Sequence, residues 1–431
     1  MKKIYLGLLG FGNVGSGVIK VLKTRGALLR KKLGCDLVLK KVFDKDLRSK
    51  REISLPREKL TSDINQVLND PSIDIVIELI GGLHPAKEYV MQALNKGKYV
   101  VTANKALLAE QGKEIFDLAK QHGKTIYFEA SVGAGIPIIK SLREGLAADR
   151  FRRIFGILNG TSNFILSAMS ESQVDFSQAL AQAQKNGFAE RNASLDIRGI
   201  DSLHKLIILV YLCFGKLVNL NDVFVDGIEH ISLLDIIYAR ELGYQIKLLA
   251  IAQKEGFELE LRVHPTLIPQ GHLLAQVRGI NNAIYVSADL VGDLLFFGPG
   301  AGKVAAASAV VSDLQDAVLD LQSGLFRRKF TAIEDKSIKR LRSIDQTYCR
   351  YYIRFMVIDK PGVLAAISGV LAKFDISIAS VTQKERKRSK AVPIVMIIHE
   401  VKEKNLRQAL IKIESLKVIK ESPVAIRIEQ I

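Results

Sequence analysis

Ile4–Leu9 is an uninterrupted apolar run of the kind that a strand buried on both faces of a parallel sheet shows. Helical spacing follows at Val14, Val18, Val21 and Leu22, predicting a helix over Val14–Lys23. Leu37–Phe43 predicts a second strand. Ile73–Ile80 (IDIVIELI) predicts a third, closed by Gly81-Gly82. Pro85 opens a helix through about Asn95, at a first-turn position where its missing N–H costs nothing. A strand at Lys98–Thr102, a helix at Ala106–His122 and a strand at Thr125–Glu129 complete the series. Strand-helix alternation of this kind predicts a doubly wound parallel sheet.

The pattern changes after Gly133-Ala134-Gly135-Ile136-Pro137. Beyond it, helices mix with longer alternating strands such as Phe257–Val263 and Ala283–Ser287, the mark of an α+β domain. Lys303–Leu321 has the apolar stripe of a long helix, which is expected to return and pack on the first domain. Residues 325–349 are basic and without period, and read as a linker. From 350 the order is strand, helix, strand, strand, helix, strand: Tyr352–Ile358, Val363–Lys373, Ile376–Thr382, Val392–Val401, Leu406–Glu414 and Ala425–Glu429. This βαββαβ order predicts a ferredoxin-like module.

With 48% hydrophobic and 25% charged residues, the chain has material for several cores and is not a disordered tail. Its longest apolar runs, such as Leu206–Phe214, fall far short of the ~20 residues that span a bilayer. The basic start Met1-Lys2-Lys3-Ile4 leads into glycines without a cleavage pattern, so a cytoplasmic location and no membrane partner are expected. Cys35, Cys213 and Cys349 form neither a disulfide framework nor a zinc motif, and the histidines include no HxxxH pair. The net charge of +17 fits an anionic small molecule or a lysine-rich surface. Its one dense run, Lys384–Lys390, has no interleaved aromatics for stacking bases, and nucleic acid is not expected as a partner.

Four constellations carry chemistry. Gly10-Phe11-Gly12-Asn13-Val14-Gly15 is a GxGxxG between strand and helix. The first glycine makes the tight turn, the second admits a pyrophosphate, and the third lets the helix pack on the strand, with the helix N-terminus facing the phosphates. Asp44, at the end of the second strand, suits ribose hydroxyls and NAD. Lys45, Arg48, Lys50 and Arg51 suit a 2′-phosphate, and the spacing from Gly15 exceeds the usual ~20 residues, so NAD and NADP both stay open. Thr102-Ala103-Asn104-Lys105 follows a strand end, placing an amine where such sheets bind ligands. Glu190, Asp196, Asp201 and Lys205 lie within sixteen residues. Asp201 and Lys205, four apart, share a helix face: either a surface ion pair or part of a site for an amino-bearing substrate. Asp359-Lys360-Pro361-Gly362-Val363-Leu364 forms a turn before the first helix of the last module, whose N-terminal amides suit a ligand carboxylate.

Over nearly its whole length the chain resembles the homoserine dehydrogenase family. The likeness rests on GFGNVGSGV (10–18), ELIGGLHPAKEYV (78–90), VTANKALLA (101–109), EASVGAGIPII (129–139), ILNGTSNFIL (157–166), GFAERNASLDIRGIDSLHKL (187–206) and FFGPGAGKVAAASAVVSDL (296–314). The last module resembles an ACT domain. The resemblance implies NAD(P)-dependent interconversion of L-homoserine and L-aspartate 4-semialdehyde, serving threonine, methionine and isoleucine synthesis. It implies a Rossmann-type dinucleotide-binding domain at 1–136 plus about 303–325, a substrate and dimerisation domain at 137–302, a linker at 326–349 and an ACT domain at 350–431.

By the same resemblance Lys205 and Lys105 are catalytic, Glu190, Asp196, Asp201 and Lys105 bind substrate, and Thr102, Lys105, Gly300 and Gly302 join Gly10–Gly15, Asp44 and Lys45 at the cofactor. Glu129, with the carbonyls of Val132, Ala134 and Ile136, resembles a monovalent-cation site for sodium. Asp359, Pro361, Gly362, Val363 and Leu364 would receive an amino-acid effector, threonine foremost, and ACT pairing implies a homodimer or homotetramer. Where NADP-using members are expected to carry Val then Arg, this chain has Asp44 then Lys45. His84 reads as a structural or nearby polar residue. Two other readings fit these residues less well. A ligand sensor with an inactive Rossmann domain would lack the acid and lysine cluster. An acylating semialdehyde dehydrogenase needs a nucleophilic cysteine, and none is well placed.

Overall fold

The protein is described by a computed structural model at residues 2–323, 332–384 and 391–431. Positions 326–331 of the expected linker and 385–390 of the basic run lie outside the described residues. The first elements are β1 (Lys2–Leu9), α1 (Asn13–Leu33), β2 (Cys35–Phe43), β3 (Leu60–Thr61), α2 (Asn65–Leu68), β4 (Ile75–Glu78), α3 (Ala86–Asn95), β5 (Tyr99–Thr102), α4 (Lys105–Gln121) and β6 (Ile126–Tyr127). Next come α5 (Ile138–Lys140), β7 (Phe151–Ile157), α6 (Gly160–Ser172), α7 (Phe176–Lys185), α8 (Ser194–Ile197), α9 (Ile200–Phe214), β8 (Phe224–Val225), α10 (Leu233–Glu241), β9 (Tyr244–Glu255) and β10 (Glu258–Pro269). The chain ends with β11 (Asn281–Ala288), β12 (Asp293–Pro299), α11 (Lys303–Ser323), β13 (Arg340–Arg342), β14 (Tyr348–Ile358), α12 (Val363–Ala372), β15 (Ile378–Thr382), β16 (Ala391–Lys402), α13 (Glu403–Glu414) and β17 (Ile419–Ile428). They divide into two compact units, one of Met1–Phe151, His204–Leu220 and Ser287–Asp335, the other of Arg152–Leu203, Asn221–Val286 and Lys336–Ile431.

The first unit holds a parallel sheet in the order β3-β2-β1-β4-β5-β6. Its direction of winding reverses between β1 and β4, and the turns after β1, β4 and β5 meet the crevice where such sheets take ligands. Leu6, Leu8, Ile75, Ile77 and Val101 are fully buried in its core. α11 packs there too, through Val310, Leu314 and Val318, as its apolar stripe predicts. It lies close on α1, where a Cβ on Gly17 would come within 2.9 Å of Lys303 O.

Several boundaries differ from expectation. α1 runs on to Leu33 because Leu29 and Leu33 continue the apolar stripe, while Gly26 points into open space; Gly34, at φ +66°, then ends it. The strand expected over Thr125–Glu129 keeps only Ile126–Tyr127. Glu129 N donates instead to Asp313 Oδ2 at 2.7 Å and Ser131 N to Phe128 O, turning Glu129–Ser131 into a 3₁₀ turn.

In the second unit β7, β9 and β10 run antiparallel and continue, through β10, into the last module. That module has the expected βαββαβ order, with strands β17-β14-β16-β15 and both helices on one core containing Ile353, Phe355, Ile367, Leu371, Met396 and Ile413. β17 pairs in parallel with β10 at Thr266↔Arg427 and Leu267↔Ile428. On the other side of β14, Arg354 clasps the fully buried Asp235 of α10 (Nε–Oδ1 2.7 Å, Nη2–Oδ2 3.1 Å), and Tyr352 OH donates to the same carboxylate. Asp235 also accepts from Ser232 N, closing the capping box of α10. Within the described part of the expected linker, β13 pairs with β10, and Arg342 bonds to Glu255 and Glu258.

Candidate active site and cofactor turn

The three glycines of the first turn have three different surroundings. Gly10 sits at φ +100°, and a Cβ there would lie 2.6 Å from Leu79 O. A Cβ on Gly15 would lie 2.1 Å from Gly10 O, so helix and turn are sealed at that point. Gly12 has nothing within 4 Å of that position. Gly12 is the N-cap of α1, beside Asn13 and Val14, and its open side leaves room at a helix N-terminus, the kind of end that binds phosphates. Gly302, at φ +120°, turns the chain into α11, and Gly300 O accepts from Ala134 N at 3.2 Å.

Asp44 is committed to the turn itself. Its Oδ2 accepts from Phe11 N at 2.6 Å and its Oδ1 from Asp46 N at 2.8 Å, while Arg51 stands 3.7 Å away and over the Phe11 ring. Lys45 is exposed. Each carboxylate oxygen retains a lone pair for a hydroxyl.

Sequence reasoning missed Glu78. Fully buried at the end of β4, it accepts from Ile80 N and Gly81 N through Oε1 and from Thr102 Oγ1 through Oε2 at 2.6 Å. Thr102 Oγ1 in turn accepts from Asn104 N. Asn104 donates to Gly82 O and caps α4 through Leu107 N, setting half-buried Lys105 on the first turn of that helix. One buried carboxylate thus fixes two adjacent turns of the crevice. An acid inside an apolar strand was the available signal. His84 pairs with Glu88 at 2.6 Å on the surface, in keeping with a structural role.

α9 is buried along its first three turns, with Asp201 5% and Lys205 7% exposed. A surface ion pair is therefore ruled out for these two residues, which lie one helical turn apart. In the second unit Asn159, also missed from the sequence, donates from Nδ2 to Asp196 Oδ1 at 2.7 Å and to Asp201 Oδ2 at 2.9 Å. Its place before an apolar helix, as an N-cap residue, was the legible part. Glu190, after α7, is exposed, and its backbone carbonyl accepts from Gln184.

Glu129 is 4% exposed; Oε1 accepts from Ile139 N at 2.8 Å and Oε2 from Lys140 N at 2.9 Å. Burial pushes its carboxyl above the usual range, against those two N–H groups. Burial, and then the neighbouring Glu129, push Asp313 well up. Val132, Ala134 and Ile136 are buried on the same turn, which α11 fastens through Lys140 and Asp316 at 2.9 Å. A carboxylate with lone pairs to spare and neighbouring backbone carbonyls suit a hard monovalent cation. Among the described residues no three His, Cys, Asp or Glu side chains gather as a metal cluster.

Gly362, at φ +88°, caps α12, with Val363 buried, Pro361 and Leu364 exposed and Asp359 half-buried in the turn. Burial raises all three thiols, Cys349 to about 12 and Cys213 well above its ordinary value, so none is the thiolate that acylating chemistry requires. Among the described residues no helix is long and apolar enough to cross a membrane.

Family profiles match in three consecutive stretches: Homoserine dehydrogenase, NAD binding domain at 10–129; Homoserine dehydrogenase at 137–315; and ACT domain at 351–418. The chain is 40% identical to homoserine dehydrogenase of Bacillus subtilis over 430 residues, covering 100% of this chain and 99% of that one. A solved homoserine dehydrogenase from Thiobacillus denitrificans superposes with a TM-score of 0.93 at 42% identity, covering 100% of this chain and 99% of the other. A hyperthermophilic archaeal homoserine dehydrogenase solved with NADPH matches with a TM-score of 0.62 at 25% identity, covering 74% of this chain and 98% of the other. The chain belongs to the homoserine dehydrogenase family, NAD(P)-dependent oxidoreductases interconverting L-homoserine and L-aspartate 4-semialdehyde, and carries a C-terminal ACT domain.

Proposed function

We propose that Asp196 and Asp201, with Glu190, hold the ammonium group of homoserine, and that Lys205 moves the proton of its γ-hydroxyl, with Lys105 as the second amine of the reaction. The observation that carries this is a buried amine one turn along α9 from a buried acid, itself tied to a second acid. Oxidation of a primary alcohol removes a hydride from carbon and a proton from oxygen. The nicotinamide, when bound, takes the hydride. Lys205 Nζ takes the hydroxyl proton in that direction and returns it to the forming alkoxide in the other.

Gly10, Phe11, Gly12, Asn13, Val14 and Gly15 hold the pyrophosphate, with Thr102, Gly300 and Gly302 framing the cofactor. Asp44 offers acceptors to ribose hydroxyls, and Lys45 and Arg51 offer charge to a 2′-phosphate, so NAD and NADP are both proposed. Oxidation of homoserine followed with each, side by side, decides between them. Glu129 and the carbonyls of Val132, Ala134 and Ile136 hold sodium, which would stiffen the turn facing Pro299 and Gly300.

The domains are proposed at 1–136 plus about 303–325, 137–302 and 350–431, joined at 326–349. The ACT domain takes threonine at Asp359–Leu364, in a cytoplasmic homodimer or homotetramer. A purely subunit-holding ACT domain is the second reading, supported by the exposed Leu364. Threonine calorimetry beside the assay separates them. Lys205→Ala should lower turnover by about 10²–10⁴-fold and keep cofactor binding. A folded variant with near-native turnover at every pH would remove Lys205 from this role.

A further inference from the structure

Resting on the reading that Asp196 and Asp201 take the substrate ammonium, we infer that Asn159 is the positioning residue that holds those two carboxylates at one fixed spacing. Three of its four hydrogen-bonding directions are used, both N–H donors among them. Nδ2 gives one hydrogen to Asp196 Oδ1 (2.7 Å) and the other to Asp201 Oδ2 (2.9 Å), and Oδ1 accepts from Ser162 N (2.8 Å) as the N-cap of α6. The amide has one workable orientation. Turned over, its oxygen would face two carboxylate oxygens and its NH₂ a backbone N–H, and all three contacts would fail.

Asn159 is 5% exposed, and it bridges segments 37 and 42 residues further along the chain. Ser162 Oγ adds a second tie, to Asp196 O at 2.8 Å. Two carboxylates this close to one group repel each other. A shared donor offsets the repulsion and holds the two acids together, facing one region where a cation can be received.

The N-cap and bridging tasks can be separated. Serine and aspartate are both good N-caps, and neither supplies two hydrogens to the acids. Asn159→Ser should lower the melting temperature, because two carboxylates lose their shared donor, while it leaves the KM for cofactor unchanged and raises the KM for homoserine at least tenfold. Asn159→Asp sets a third carboxylate against the pair. Its deficit in kcat/KM should shrink between pH 8 and pH 5.5, as a shared proton restores one donor.

Asp196→Asn and Asp201→Asn are measured in parallel. If they raise the KM for homoserine while Asn159→Ser and Asn159→Asp keep the native value at both pH values, Asn159 is only a helix cap and the inference is overturned. If neither acid variant changes that KM, the acid assignment falls, and this inference with it.

Discussion

The contrast between Gly12 and Gly15 separates a cofactor contact from a packing contact within a single turn. In Gly15→Ala the new Cβ would sit 2.1 Å from Gly10 O, where ordinary contact needs more than 3 Å, so the turn must move by about an ångström. Overpacking of that kind costs about 1–3 kcal/mol of stability. It also disturbs Phe11 N, which is bonded to Asp44. In Gly12→Ala nothing lies within 4 Å of the Cβ, and the backbone φ of −74° accepts alanine. The stability loss is confined to replacing a glycine N-cap by alanine, at most about 1 kcal/mol. The methyl group instead occupies the open side where a phosphate approaches. Each charge-assisted hydrogen bond lost there is worth about 1.5–3 kcal/mol, or about ten- to hundredfold in Kd. Urea unfolding of the free protein, beside fluorescence titration with NADH and NADPH, reads both quantities. Gly12→Ala should lose at least tenfold in affinity with a near-native unfolding midpoint, and Gly15→Ala should lose both. A Gly12→Ala protein that binds either cofactor with native affinity would refute this placement of the pyrophosphate.

Asp235→Ala leaves Arg354 buried without its carboxylate and should cost about 3–5 kcal/mol in urea unfolding; a loss under ~1 kcal/mol would show that the clasp contributes little. Burial lowers Lys247 to about 8. Between there and the ordinary ~10.4 the unfolded chain binds the extra proton, so stability from this residue rises with pH through that window, by up to ~3 kcal/mol. The stability difference between native protein and Lys247→Met should therefore grow from pH 8 to 10.4, and a flat difference would contradict a buried, depressed lysine.

The parallel sheet and the terminal βαββαβ module were legible because each buried strand is a short apolar run between turn residues, a local property. The glycine turn was legible because its spacing is also local. What escaped depends on partners far along the chain. Asp44 reads as an acid poised for a ribose, and only the fold shows its carboxylate already bonded to Phe11 N and Asp46 N. Asp201 and Lys205 read equally well as a surface pair, because helical spacing gives a shared face and not its depth. Asn159 announces a helix start, but the acids it joins lie on α8 and α9. Glu78 looks like one more strand residue until Thr102 and the two amides gather around it.

The second edge of β10 is shared among three short pairings: with β8 at Arg262 and Val263, with β13 at Glu258–Glu260 and with β17 at Thr266 and Leu267. Only β8 precedes it in the chain. Thr266 leaves the ribosome about 160 residues before Arg427, its partner. At ~5–20 residues per second that interval is ~8–30 s. Throughout it, the apolar end of β10 presents unpaired backbone groups, a template for pairing with neighbouring nascent chains on the same message. Synthesis halted before β17 leaves that edge open permanently. The ACT domain therefore bears on this chain's yield: prematurely terminated products should collect in the insoluble fraction, while full-length chains made at the same rate stay soluble.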